Sequence, residues 1–223
     1  MPNGQLIKED LPVAQRFKGQ SVAEQNSIDV AWKLLQLPKY KELRACLFQT
    51  DEEVQRFRQV IVNAVIATDI FDKDLKSLRE DRWDKAFHQK SPECADAADV
   101  DANRRATIVI ETLIQASDVS HCMQHWQIYQ KWNKKLFQEM WAAYESGRAE
   151  NDPSLGWYKG ELWFFDNYVI PLSKKLKECG VFGVSCDEFL NDATDNRAEW
   201  AEKGEAIVQE WMHEHLGASS NSC

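Results

Sequence analysis

The chain has 223 residues, 43% hydrophobic and 11% aromatic, enough to close a core without disulfide or metal staples. Its 27 basic and 36 acidic residues give a formal net charge of −9, which repels phosphate polyanions and anionic lipid and argues against nucleic-acid binding. Nine glycines and six prolines exclude collagen and wholesale disorder, while nine tryptophans fit either a thick helical core or an aromatic pocket.

Hydrophobic spacing is helical almost throughout and no stretch alternates with period two, so the fold class is read as all-α, with one domain over residues 1–217. A first helix is predicted to start at Ser21, whose spacing to Glu24 is that of a capping box, and to end before Pro38. Thr50 and Glu53 open a second helix with Val54, Phe57, Ile61, Ala64 and Val65 on one face. A third, shorter one uses Leu75, Leu78 and Trp83, and residues 90–102, rich in Ala and Asp without periodicity, read as a loop. The fourth helix, Asn103 to Ser117, is apolar nearly all round, as a helix at the centre of a bundle is. The fifth carries Trp126, Tyr129, Trp132, Phe137 and Trp141 and stops at Gly147. A loop over 148–160 leads to a sixth helix, Glu161 to Glu178, kinked by Pro171. Ser185 and Glu188 have the spacing to cap a short helix, Arg197 to His215 forms the last one, and residues 218–223 form a polar, disordered tail.

Six cysteines without a C-x-x-C pair fit a reducing, cytoplasmic compartment better than a disulfide scaffold. Residues 1–10 carry Lys8, Glu9 and Asp10 and no signal-peptide core. The longest apolar stretch, Val60 to Phe71, is broken by Asn63, Thr68 and Asp69 and falls far short of a membrane span.

Asp118 is the most informative acid, because a carboxylate ending an apolar helix is costly to desolvate unless a cation or donors meet it; a solvent-facing helix end is the plain alternative. Asp118, His121 and His125 fall at i, i+3 and i+7, so a continuing helix would turn all three toward one metal. No general-base Glu of a zinc-protease motif accompanies them, and such histidines are more often rim or surface groups. Glu24 is explained as a capping residue and Thr68 with Asp69 as a hydrated helix end. The aromatics from Trp126 to Tyr144 read first as core.

In order along the chain, Ala23-Glu24-Gln25-Asn26, Val65-Ile66-Ala67-Thr68-Asp69-Ile70, Ala116-Ser117-Asp118-Val119-Ser120 and Glu161-Leu162-Trp163-Phe164-Phe165-Asp166 resemble the second half of the class I cyclic-nucleotide phosphodiesterase catalytic domain. The resemblance covers residues 3 to 210. It implies an HD-type helical bundle that hydrolyses the 3′ ester of cAMP or cGMP at a two-metal centre, zinc plus magnesium. On matching positions Asp118 would be a metal ligand, Glu24 and Thr68 would orient metal-bound water, and Phe164 and Leu136 would sandwich the purine. His121 and Ile70 would also face the nucleotide, and His125 matches no functional position.

Two departures stand out. The family's usual Gln is Glu161 here, and an ionised carboxylate accepts hydrogen bonds without donating, so base preference does not carry over. Residues 1–7 align just after the family's His-Asp-x-x-His-Pro-Gly motif, which leaves Asp118 as the one expected metal ligand and predicts a chain inactive alone, with apolar surface open to missing helices or a dimer partner. A parent protein tethered to a membrane is compatible with this reading. The competing reading is a non-catalytic helical interaction module that keeps the fold without its metals.

Overall fold

The helical periodicity carries through to three dimensions. In the computed structural model, which describes residues 3–70, 72–88 and 95–220, every regular element is a helix and no strand occurs among the described residues. The chain divides into two compact units, Met1–Gln115 and Ala116–Cys223.

The first unit contains α1 (Asn3–Lys8), α2 (Pro12–Arg16), α3 (Val22–Leu35), α4 (Lys41–Leu47), α5 (Asp51–Ala67), α6 (Lys73–Phe87) and most of α7 (Ala95–Asp118). The Thr50–Glu53 box forms as expected: the Thr50 hydroxyl accepts from the Glu53 amide at 3.3 Å, and the Glu53 carboxylate accepts from the Thr50 amide at 3.2 Å. Amides of Gln49 and Thr50 hold the Glu53 carboxyl below its ordinary range.

The expected Ser21–Glu24 box does not form. Ser21 takes a left-handed φ of 36° and makes no side-chain cap, and the Ala23 amide is met instead by Asn3 Oδ1 at 2.8 Å. A residue distant in sequence thus caps α3, which leaves Glu24 available for other partners.

Helix α7 begins at Ala95, inside the stretch read as a loop, while residues 90–94 lie outside the described residues. It is not buried all round: Ile108, Glu111 and Thr112 are buried, and Ile110 and Ile114 are exposed. The buried face holds an ion pair, with Arg82 Nη1 donating to both Glu111 oxygens at 3.0 and 3.1 Å. On α6 Trp83 is buried and stacks on Phe87, whereas Leu78 is exposed.

The second unit is built from α8 (Trp126–Glu145), α9 (Trp157–Phe164), α10 (Ile170–Cys179) and α11 (Glu188–Ser220). Helix α9 starts four residues before the predicted point, at Trp157, and Phe165–Val169 form one π-helical turn before α10. Pro171 lies in the first turn of α10, so the π turn takes up the missing amide and ring clash that a straight helix could not.

Glu188–Ser220 is one helix where two were expected. Ser185 belongs to a preceding 3₁₀ turn. The polar run 191–196 stays helical because Ala193 and Asn196 are buried, and Asn196 Nδ2 donates to the carbonyls of Cys122 (3.1 Å) and Gln124 (2.6 Å). Gly204 accommodates Trp200: a Cβ at this position would lie 2.7 Å from the indole, which is fully buried.

Around Trp200 the core is aromatic. Tyr129 meets it edge to face at 5.9 Å and Phe165 at 5.1 Å, and Phe137 packs against Trp157 and Trp211. No helix among the described residues is long and apolar enough to cross a membrane.

Candidate functional site

A cavity of about 530 Å³ opens in the second unit, a size suited to a small molecule. The end of α7 and the 3₁₀ turn after it (Ser120–Met123) supply Asp118, Val119 and His121. From α8 come Trp132, Asn133, Lys135, Leu136 and Glu139, and from α9 come Glu161 and Phe164. Of the residues singled out in the sequence, Asp118, His121, Leu136, Glu161 and Phe164 therefore meet in one place although they span more than forty positions.

The chain's path explains this convergence. α7 gives way at Asp118 to the 3₁₀ turn, whose carbonyls Asn196 holds from α11, and α8 starts at Trp126. The break also ends the i, i+3, i+7 periodicity that would have aligned Asp118, His121 and His125. His125 is exposed at the N-terminus of α8, with Nδ1 3.8 Å from Asp192.

Asp118 is exposed rather than desolvated. Among the described residues no three His, Cys, Asp or Glu side chains are grouped to hold a metal ion. Burial lowers the pKa of His121, with the Asp118 charge opposing, and its Nε2 lies 3.3 Å from Cys122 Sγ.

Glu161 sits at the end of a directional hydrogen-bond chain. Trp157 Nε1, which can only donate, gives its proton to Asn133 Oδ1 at 2.8 Å and so fixes which way that amide points. Asn133 Nδ2 then faces Tyr129 Oη (2.6 Å) and Glu161 Oε2 (3.2 Å), and the Tyr129 hydroxyl, receiving from Asn133, donates to Glu161 Oε2 at 2.9 Å. Burial pushes the Glu161 carboxyl up to about 7 despite the Tyr129 hydrogen bond. Burial, and then the Glu161 charge, push up both the Tyr129 hydroxyl and the Cys122 thiol, so neither ionises near neutrality.

Phe164 and Leu136 give the cavity its apolar sides. Phe164 is backed by Tyr168, stacked at 5.3 Å and 20°, and Leu136 remains 45% exposed, open to a ligand. Sequence reasoning missed Asn133. A polar side chain four residues after Tyr129, on the buried face of an aromatic helix, was the available signal.

The remaining candidates lie in the first unit. Asn3 Nδ2 donates to Glu24 Oε2 at 2.8 Å and to Asp69 Oδ2 at 3.3 Å, linking two carboxylates. Thr68 donates to the Val65 carbonyl at 2.7 Å, and Ile70 is half-buried just after Asp69. Arg79 closes the end of α5 by donating to the carbonyls of Ala67 (3.0 Å) and Asp69 (2.9 Å). A cavity of about 290 Å³ in this unit is lined by Trp32, Arg58, Asp29, Gln25 and apolar residues, and none of the candidates lines it.

The all-helical fold thus carries a cavity that joins a half-buried acid, apolar walls and an acidic rim. The family model described as 3′5′-cyclic nucleotide phosphodiesterase matches residues 2–182, and the chain belongs to that family. Its members are hydrolases and in general metal-dependent. The chain is similar to the probable 3′,5′-cyclic-AMP phosphodiesterase pde-4 of Caenorhabditis elegans, at 26% identity over 214 residues. That match covers 89% of this chain and 29% of the worm protein. Two crystal structures of the phosphodiesterase domain of the rhodopsin phosphodiesterase from the choanoflagellate Salpingoeca rosetta share the fold, with TM-scores of 0.71 and 0.70 at 20% and 21% identity. They cover 96% and 97% of this chain and 65% and 64% of their own.

Proposed function

We propose that this chain supplies the nucleotide-binding part of a 3′,5′-cyclic-nucleotide phosphodiesterase, with the purine held between Phe164 and Leu136 and its polar edge directed at Glu161. The observation that carries this reading is the convergence of Asp118, His121, Leu136, Glu161 and Phe164 on one cavity of the second unit. The cavity is large enough for a mononucleotide and apolar where a flat base would lie.

Under the same reading Asp118 is the carboxylate directed at a metal, and Glu24 and Thr68 order water. Zinc and magnesium need several convergent donors, and the described residues of this chain group too few of them to fit the two ions. The role assigned to this chain is therefore substrate binding, and the proposed setting is cytoplasmic cyclic-nucleotide signalling.

Calorimetric titration of the full chain with cAMP and cGMP tests the reading. Phe164→Ala and Leu136→Ala should each weaken binding about three- to tenfold, the loss expected from removing one face of a stacking clamp. Binding that both substitutions leave unchanged would contradict it.

A further inference from the structure

The polarity of the Trp157–Asn133–Tyr129 chain fixes how Glu161 meets a ligand. Both acceptor lobes of Oε2 are taken, by the Tyr129 hydroxyl and the Asn133 amide, while no donor among the described residues reaches Oε1. Neither partner can reverse, because the donor-only indole of Trp157 holds Asn133, and Asn133 in turn donates to Tyr129. A proton on Glu161, which lines the cavity, consequently sits on Oε1.

Among the described residues no cation lies within ion-pairing distance of Glu161. Lys135, across the cavity on α8, is placed over the Trp132 ring at 4.7 Å, and Glu139 on the same helix adds negative charge. The 3₁₀ turn contributes the neutral Cys122 thiol and His121, whose pKa burial lowers, and α7 ends in Asp118. From α11 it is the Trp200 indole that reaches Tyr129, and Asp166 of the π turn is paired with Arg197.

We propose that Glu161 reads the base through its protonation state: as the neutral acid it donates Oε1–H to an acceptor on the purine edge, and as the carboxylate it accepts from an exocyclic amine or ring N–H. This rests on the cyclic-nucleotide reading of the cavity and makes its base preference a function of pH. With a carboxyl that titrates near 7, the neutral fraction falls roughly tenfold between about pH 6 and pH 8.

The test uses the full chain and three probes: cAMP, cGMP and the 3′,5′-cyclic nucleotide of unsubstituted purine, whose ring nitrogens only accept. Affinity for the third should drop about tenfold from pH 6 to pH 8, and in Glu161→Gln, whose amide keeps a donor at all pH values, that drop should vanish. A carboxylic-acid C=O band in the infrared spectrum should titrate near neutrality and be missing from Glu161→Gln. In Tyr129→Phe, which removes a donor to the carboxylate, its midpoint should move to higher pH. Binding that is flat with pH in the unaltered chain, or no band titrating in this range, overturns the inference and leaves the cavity reading standing. Failure of all three probes to bind at either pH overturns both.

Discussion

Replacing Glu161 by Gln should make the second unit more stable than the unaltered chain at high pH and remove a pH dependence that the native protein carries. An acid that titrates at 4.5 when exposed and at about 7 when folded binds its proton more tightly in the native state. Between those values the unfolded chain holds fewer protons, so stability falls as pH rises. The contribution is fully present below about pH 4.5 and lost by the time the folded carboxyl ionises, above about pH 7. The gap corresponds to about 3.5 kcal/mol at roughly 1.4 kcal/mol per pH unit. Urea unfolding followed by tryptophan fluorescence suits the measurement, because seven of the nine tryptophans lie in residues 116–223. The difference in unfolding free energy between the two proteins should grow in favour of the glutamine variant by about 2.5 kcal/mol from pH 5 to pH 8. Parallel stability curves would show that the Glu161 carboxyl titrates normally and that its surroundings do not favour the neutral acid.

Gly204→Ala should lower the melting temperature although alanine is the better helix former by about 1 kcal/mol, since its Cβ would press on the buried Trp200 ring at 2.7 Å and overpacking costs about 1–3 kcal/mol. A higher melting temperature would refute the tight approach. Asn196→Ala, which strips two donors from the turn that carries His121, should cost about 2 kcal/mol and speed amide exchange across residues 120–125; unchanged exchange there would remove Asn196 from its anchoring role. Asn3→Ala should cost about 1 kcal/mol through the lost cap of α3, with faster amide exchange at Ala23 as its local sign and equal stability as the contrary result.

The helical class, the capped start of α5 and the stop at Gly147, where φ is 73°, were legible because each is set by residues close in sequence. What the sequence concealed depends on distant partners. Ser21 and Glu24 have perfect capping spacing, yet Asn3, twenty residues away, takes the Ala23 amide. The polar run 191–196 reads as a break, yet Asn196 finds carbonyls more than seventy residues away and the helix continues. At the site, the resemblance named five residues that do converge, of which Asp118, Glu161 and Phe164 lie within its short motifs. Asn133 and Trp157 lie between motifs, and their importance appears only once α8 and α9 are packed side by side. The same packing gives Glu161 its meaning: in sequence it is a departure from the family's usual Gln, and in the structure it is a half-buried acid with one oxygen engaged.

The most direct test of the nucleotide site is to map where cAMP touches the full chain, using the indole N–H resonances of its tryptophans in a heteronuclear NMR titration. Saturable shifts are expected at Trp132, which lines the second unit's cavity, and none at Trp32, which lines a cavity of the first. Shifts confined to Trp32, or no saturable shift at any indole, would contradict it.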